Sequence, residues 1–216
     1  MHHPNNHSRC YCEDPLQFVP RVLTKLHSIW VGLTYPFAST GRKLDLHYLS
    51  QLTRTRASRI SLGNFVSLRK GAWLNVATEV TSGEPVIVIE DNCAIGNDTI
   101  ISAKNKIHIE RDVLIAQSVL IVDHNHAYED ITVPIVNQGI TEGGRIRIGQ
   151  GSWIARGATI ICPKGELNIG RNCVIAANSV VTRSIPDYSL VAGLPARIIR
   201  QYDVQTKTWR IGRTRG

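Results

Sequence analysis

The 216-residue chain is predicted to be an all-β protein, a parallel β-helix preceded by a helical segment and followed by a short extension. Three regularities carry this. An aliphatic residue returns every six positions in five groups of three: Leu62, Leu68, Leu74; Ile89, Ile95, Ile101; Ile109, Ile115, Ile121; Ile148, Ile154, Ile160; and Ile169, Ile175, Val181. Four residues after each, eleven of the fifteen positions are Ala, Ser, Thr, Cys or Val, small or β-branched, among them Ala72, Thr78, Cys93, Thr99, Ser152 and Cys173. Three residues after each, ten of fifteen are Gly, Asn, Asp or Ser, the types that tolerate tight turns. A period of six fits neither the 3.6 of an α-helix nor one alternating strand. It fits short strands joined by sharp corners, three to a coil, each throwing one large side chain inward. Such coils bury their aliphatics only by stacking, so about five of them form a column.

The elements follow in order. Residues 1–15 contain His2, His3, His7, Cys10 and Cys12, but not at structural-zinc spacing, and are expected to be a disordered polar tail. Residues 16–58 form the N-terminal segment. Within it Val19, Val22, Leu23, Leu26, Ile29, Trp30 and Leu33 recur at helical spacing, with Arg21 and Lys25 between them. The helix should stop at Tyr35-Pro36. Such an amphipathic helix can cap the open end of the column, pack on a neighbouring subunit, or lie on a membrane surface. The column occupies 59–186. Its beat halts after Ile121 for some twenty residues, so a loop over 127–145 projects from one corner. Residues 187–216 form the C-terminal extension.

Composition narrows the class. Hydrophobic content is 43% and mean hydropathy −0.08, ordinary for a globular protein. No apolar run reaches the roughly 20 residues of a bilayer span, and the N-terminus lacks a secretory apolar core, so a cytoplasmic location is expected. Five scattered cysteines argue against a disulfide framework. Cys93 and Cys173 fall at small inward positions, and Cys162 lies at a slip of the beat. The net charge of +8 is dispersed and lacks a nucleic-acid motif, which leaves phosphate-bearing small molecules or anionic surfaces as partners.

The stretches "IGQGSWIARGATII" and "IGRNCVIAANSVVTRSIPDYSLVAGLPARIIRQYD" resemble the hexapeptide-repeat acyltransferases. The nearest branch is that of galactoside, maltose and nodulation-factor O-acetyltransferases and their polysaccharide-biosynthesis relatives. The likeness covers about residues 60–202. It implies a left-handed β-helix, a homotrimer, and acetyl-CoA as co-substrate in a groove between two subunits. It further implies transfer to a sugar or glycan hydroxyl, with histidine as general base. Without gaps, the resemblance places His126 of "VDHNHAYED" on the catalytic histidine; a two-residue shift would place His124 there. Asp123, Glu142 or a backbone carbonyl could orient that ring.

For the donor, the resemblance assigns Ala155, Arg156 and Ala177 to the pantetheine path. Thr182, Arg183, Arg197 and Arg200 correspond to positions around the nucleotide and its phosphates, a role suited to arginine's planar fork. Where small-sugar acetyltransferases carry an acceptor-contacting asparagine this chain has Gly96, leaving Asn97, Asp98 and Asp123 as acceptor candidates. Streptogramin- or chloramphenicol-type acetylation, N-acetylation of an amino sugar, and a non-catalytic scaffold remain alternatives. The γ-carbonic anhydrases share this type of column and bind zinc through three histidines. The one-residue gap between His124 and His126 does not resemble their arrangement, and His108 is expected on an outer face, so no metal is expected.

Overall fold

The computed structural model describes residues 16, 18–77 and 83–211. The fifteen aliphatic positions all lie inside one continuous core, none more than 1% exposed. Each contributes roughly 1.5–3 kcal/mol on full burial. Ten of the eleven small positions are buried with them; Thr78 lies outside the described residues, as do His2, His3, His7, Cys10 and Cys12.

The coils wind as a left-handed β-helix with three parallel sheets. Coil one holds β1 (Ser39–Thr40), β2 (Asp45–Leu46) and β3 (Gln51–Leu52). Coil two holds β4 (Ile60–Leu62), β5 (Ser67–Leu68) and β6 (Trp73–Val76), and coil three β7 (Ile87–Ile89), β8 (Ala94–Ile95) and β9 (Ile100–Ala103). Coil four comprises β10 (Lys106–Ile109), β11 (Leu114–Ile115) and β12 (Leu120–Val122). Coil five comprises β13 (Gly143–Ile148), β14 (Trp153–Ile154) and β15 (Thr159–Ile161), and coil six β16 (Lys164–Ile169), β17 (Val174–Ile175) and β18 (Val180–Val181). The first strands of all coils make one sheet, the second strands another, the third strands a third. Register is in phase throughout: Ile115 pairs with Ile95 and Ile154, Ile121 with Ile101 and Ile160.

Corner geometry explains the turn-tolerant positions. Asn92, Asp98, Asp112, Ser118, Asn172 and Asn178 all have φ between 49° and 61°, and Gly71, Gly151 and Gly157 share the left-handed region. Phe65 occupies the same corner position at φ 58°, its ring 5.1 Å from the Lys43 ammonium.

The column is longer than the five coils expected, because coil one lies within the segment 16–58. It keeps the six-residue spacing through Thr40, Leu46 and Leu52, which pair with Leu62, Leu68 and Leu74. A polar residue, Thr40, at the first inward position hides the repeat from a search for aliphatics. At the far end Ile185 bridges to Ile169 and β19 (Ser189–Gly193) pairs in parallel with β17, so the column runs past residue 186. The chain then reverses into β20 (Ala196–Asp203) and β21 (Thr208–Ile211), an antiparallel extension of the second sheet.

Helix α1 (Phe18–Thr34) is the expected amphipathic helix, ends before Pro36 and lies against β2 of the first coil. Its polar side faces the column. The Leu46 N–H donates to Ser28 Oγ at 2.8 Å, Ser28 Oγ–H lies 3.2 Å from the Leu46 carbonyl, and His27 Nδ1 lies 3.1 Å from the same oxygen. On the other side of β2, the Asp45 and His47 N–H groups donate to coil two. The Leu46 groups are therefore the free edge of the first coil, and α1 closes it by side-chain hydrogen bonds in place of another strand.

Candidate active site

Between β12 and β13 the chain leaves the column for residues 123–142, the excursion read from the halted beat. Its neck is a short antiparallel ladder. Thr141 N–H donates to the Asn125 carbonyl at 2.8 Å, Asn125 N–H to Thr141 Oγ1 at 3.0 Å, Ala127 N–H to the Gly139 carbonyl at 3.1 Å, and His126 bridges Ile140. The coil beneath clamps it: Lys104 Nζ donates to the Thr141 carbonyl at 2.5 Å and Asn105 Nδ2 to the Glu142 carbonyl at 2.8 Å.

Asp123 anchors this neck and is fully buried. Its Oδ1 accepts the Lys104 N–H at 2.7 Å, and its Oδ2 accepts the N–H groups of Asn105 at 2.8 Å and Lys106 at 2.9 Å. Three successive amides converging on one carboxylate form an anion nest, which offsets the cost of burying the charge. The His124 Nδ1 lies 2.9 Å from Oδ1. An ionised carboxylate only accepts, so Nδ1 carries the proton and Nε2 of the neutral ring is the open acceptor. Asp123 is thereby the carboxylate in contact with the His124 ring, and none of its own surface is exposed. The His124 side chain is 11% exposed, whereas His126 is exposed at the neck. Glu142 contributes its backbone carbonyl to the clamp.

The other predicted site residues occupy three places. Ala155 and Arg156 form the corner between the second and third sheets in coil five, and Ala177 lies at the same corner of coil six. The Asn178 N–H donates to the Arg156 carbonyl at 2.9 Å, so these corners stack directly. Asn97 and Asp98 lie on this same edge in coil three, connected through Gln117: Ser118 N–H donates to the Asn97 carbonyl and Gly157 N–H to the Gln117 carbonyl. Asp98 also has a structural task. Its carboxylate covers the Gly71 corner so closely that a Cβ there would stand 2.1 Å from Oδ1, as Asn178 covers Gly157. Thr182 and Arg183 follow β18 and lie on the edge that carries the loop neck. Arg197 and Arg200 are exposed on β20, opposite Ala192 and Leu190. The third sheet thus separates the Arg156–Ala177 edge from the edge bearing His124 and His126, and one chain does not bring the two together.

His108 faces outward on the first sheet, with Nε2 2.7 Å from Glu90 Oε1. Among the described residues no group of three or more His, Cys, Asp or Glu side chains is arranged to hold a metal. Burial raises the thiol pKa of Cys162 and Cys173, and pushes that of Cys93 up to about 11, which leaves all three as core packing rather than nucleophiles.

A left-handed β-helix with a loop projecting between its fourth and fifth coils defines a class, and comparison with known proteins supplies the family. No family model matches the chain. WbbJ of Escherichia coli strain K12, named provisionally as a lipopolysaccharide biosynthesis O-acetyl transferase, is 36% identical over 133 residues, covering 59% of this chain and 66% of its own. A Mycobacterium tuberculosis protein, named with similar reserve as an acetyltransferase, is 35% identical over 180 residues, covering 82% of this chain and 53% of its own. The chain therefore spans between about half and two-thirds of the length of these relatives. Among solved structures, a point mutant of AntD, an N-acyltransferase from Bacillus cereus, in complex with dTDP and coenzyme A, superposes with a TM-score of 0.64 at 18% identity. The superposition covers 84% of this chain and 90% of AntD and establishes likeness of fold. The chain belongs to the hexapeptide-repeat acetyltransferase family.

Proposed function

We propose that this chain transfers the acetyl group of acetyl-CoA to a hydroxyl of a sugar or glycan in the assembly of a cell-surface polysaccharide. The observation that carries the reading is the clamped neck: Asp123 fixes its base and holds the His124 ring, and the exposed His126 is paired across the neck with Ile140. The names of the two relatives supply the reaction class. In the proposed chemistry, neutral His126 accepts the hydroxyl proton as the oxygen attacks the thioester carbonyl. The tetrahedral intermediate collapses with cleavage of the carbon–sulfur bond, and the imidazolium returns the proton to the departing thiolate. Proton and electron pair balance without an acetyl-enzyme. His124 and Asp123 are positioning residues that hold the neck in place.

Thr182, Arg183, Arg197 and Arg200 are proposed to meet the nucleotide and phosphates, Ala155, Arg156 and Ala177 the pantetheine arm. Because the pantetheine edge and the histidine edge lie on opposite sides of the third sheet, a site using both takes one from each of two subunits, which supports a homotrimer. Asn97, exposed at its corner, is the proposed acceptor contact. The test is acetyl-CoA-dependent thiol release over a panel of sugars, nucleotide sugars, serine and aminoglycan precursors. Release with hydroxyl acceptors alone is expected. Release only with amino-sugar acceptors would replace O-transfer by N-transfer, and silence across the panel would overturn the reading.

A further inference from the structure

Helix α1 leaves its apolar stripe uncovered. Val19, Val22, Leu26, Ile29 and Leu33 recur at spacings of three and four on the side opposite Thr24, Ser28 and Val31, which pack on the column. Leu26 is 59% exposed and Leu33 81%, with Trp30 beside them at 55%. A contiguous exposed stripe of this kind marks a docking surface. Its direction is set by the hydrogen bonds of Leu46. Strand-to-strand bonds in a β-helix run along the column axis, and α1 replaces the missing strand beyond β2, so the stripe points away from the column's end. Subunits packed side by side along the flat faces would leave it uncovered.

Charge identifies the occupant. Residues 16–62, which comprise α1 and the first coil, hold seven Arg and Lys against a single acid, Asp45, a net +6 of the chain's +8. Arg21 and Lys25 of α1 line, with Lys43, an open groove of about 1140 Å³ between the helix and the first two coils, where the one acid, Asp45, is already paired with Arg69 at 3.3 Å. Arg54 is tied to the helix C-terminus, its Nε donating to the Thr34 carbonyl at 3.1 Å. An apolar stripe flanked by cations complements an anionic bilayer, with the side chains among the acyl chains and the cations at the headgroups. No helix among the described residues is long and apolar enough to cross a membrane, so α1 would lie in the interface rather than span it.

We infer that the α1 end of the column docks on the surface of an anionic phospholipid membrane. This is independent of the acetyl-transfer reading. The test is co-sedimentation of the full chain with vesicles of phosphatidylcholine alone or with one-third phosphatidylglycerol, at low salt and at about 0.5 M NaCl. Pelleting with the anionic vesicles, reduced by salt, is expected. The Leu26→Ser/Leu33→Ser variant should lose it. The Arg21→Gln/Lys25→Gln variant should partition about 30-fold less, from the usual worth of two basic residues at such a surface. Both pairs are exposed, and unchanged melting curves confirm that each variant is folded. Equal recovery with neutral and anionic vesicles, no recovery with either, or unaltered binding by the leucine variant would each overturn the inference. So would a fall in molar mass of the leucine variant by light scattering, which would assign the stripe to a second copy of this chain.

Discussion

Replacing Asp123 by Asn isolates the anchor of the loop neck. The carboxylate offers two accepting oxygens, one toward the Lys104 N–H and His124 Nδ1, the other toward the N–H groups of Asn105 and Lys106. An amide of the same shape has one oxygen and one NH₂. Turned one way the NH₂ meets the N–H groups of Asn105 and Lys106; turned the other it meets the Lys104 N–H, with His124 able to accept from it by changing tautomer, so at least one buried N–H loses its acceptor. A buried donor left unsatisfied costs about 1–3 kcal/mol, and the less costly rotamer leaves one, so the expected loss is about 1–3 kcal/mol. For a chain of this size that is a fall in Tm of about 2–12 °C, at about 2–4 °C per kcal/mol. Differential scanning calorimetry reads it directly. Turnover should fall as well, because the neck that presents His126 is no longer clamped, while equilibrium binding of acetyl-CoA should change less than about threefold. A melting temperature within about 2 °C of the parent would refute the reasoning, since it would mean that the three amides do not depend on the carboxylate. Normal turnover in a clearly destabilised variant would detach the neck from catalysis.

His126→Ala should lower turnover by about 10²–10⁴-fold with an unchanged melting curve and intact acetyl-CoA binding, and His124→Ala should cost less in turnover. The reverse ranking would transfer the base to His124, and near-normal turnover in both would remove the mechanism. Arg183→Ala and Arg197→Ala should weaken acetyl-CoA more than its 3′-dephospho analogue; equal losses in a titration of both donors would place the arginines away from that phosphate. Ile115→Asn puts an unpaired amide at a position 1% exposed and should abolish the cooperative melt near that of the parent. Light scattering at micromolar concentration should give three times the 24.0 kDa chain mass, and an active monomer would refute a site shared between subunits.

The interior of the column was legible from the sequence alone. Each inward aliphatic, each small residue four places on and each turn-tolerant corner answers to a local constraint repeated every six residues, so Leu62 through Val181 could be placed without coordinates. The excursion after Ile121 was legible as the failure of that rule. Coil one was not, because Thr40 stands where an aliphatic would have revealed it. The orientation of α1 was not either: its apolar periodicity fixes a stripe, and only the hydrogen bonds of Ser28 and His27 to Leu46 decide that the stripe faces away from the protein. The same holds at the loop neck. From the sequence Asp123 was a candidate both for orienting a histidine ring and for contacting the acceptor; that its carboxylate is gripped by the backbone amides of Lys104, Asn105 and Lys106, about one coil earlier in the chain, could not be read there. Backbone donors carry no side-chain signature, and their meeting with a carboxylate depends on how successive coils stack. Burial that repeats with the chain can be read from the chain, whereas contacts between coils and across sheets exist only once the column has closed.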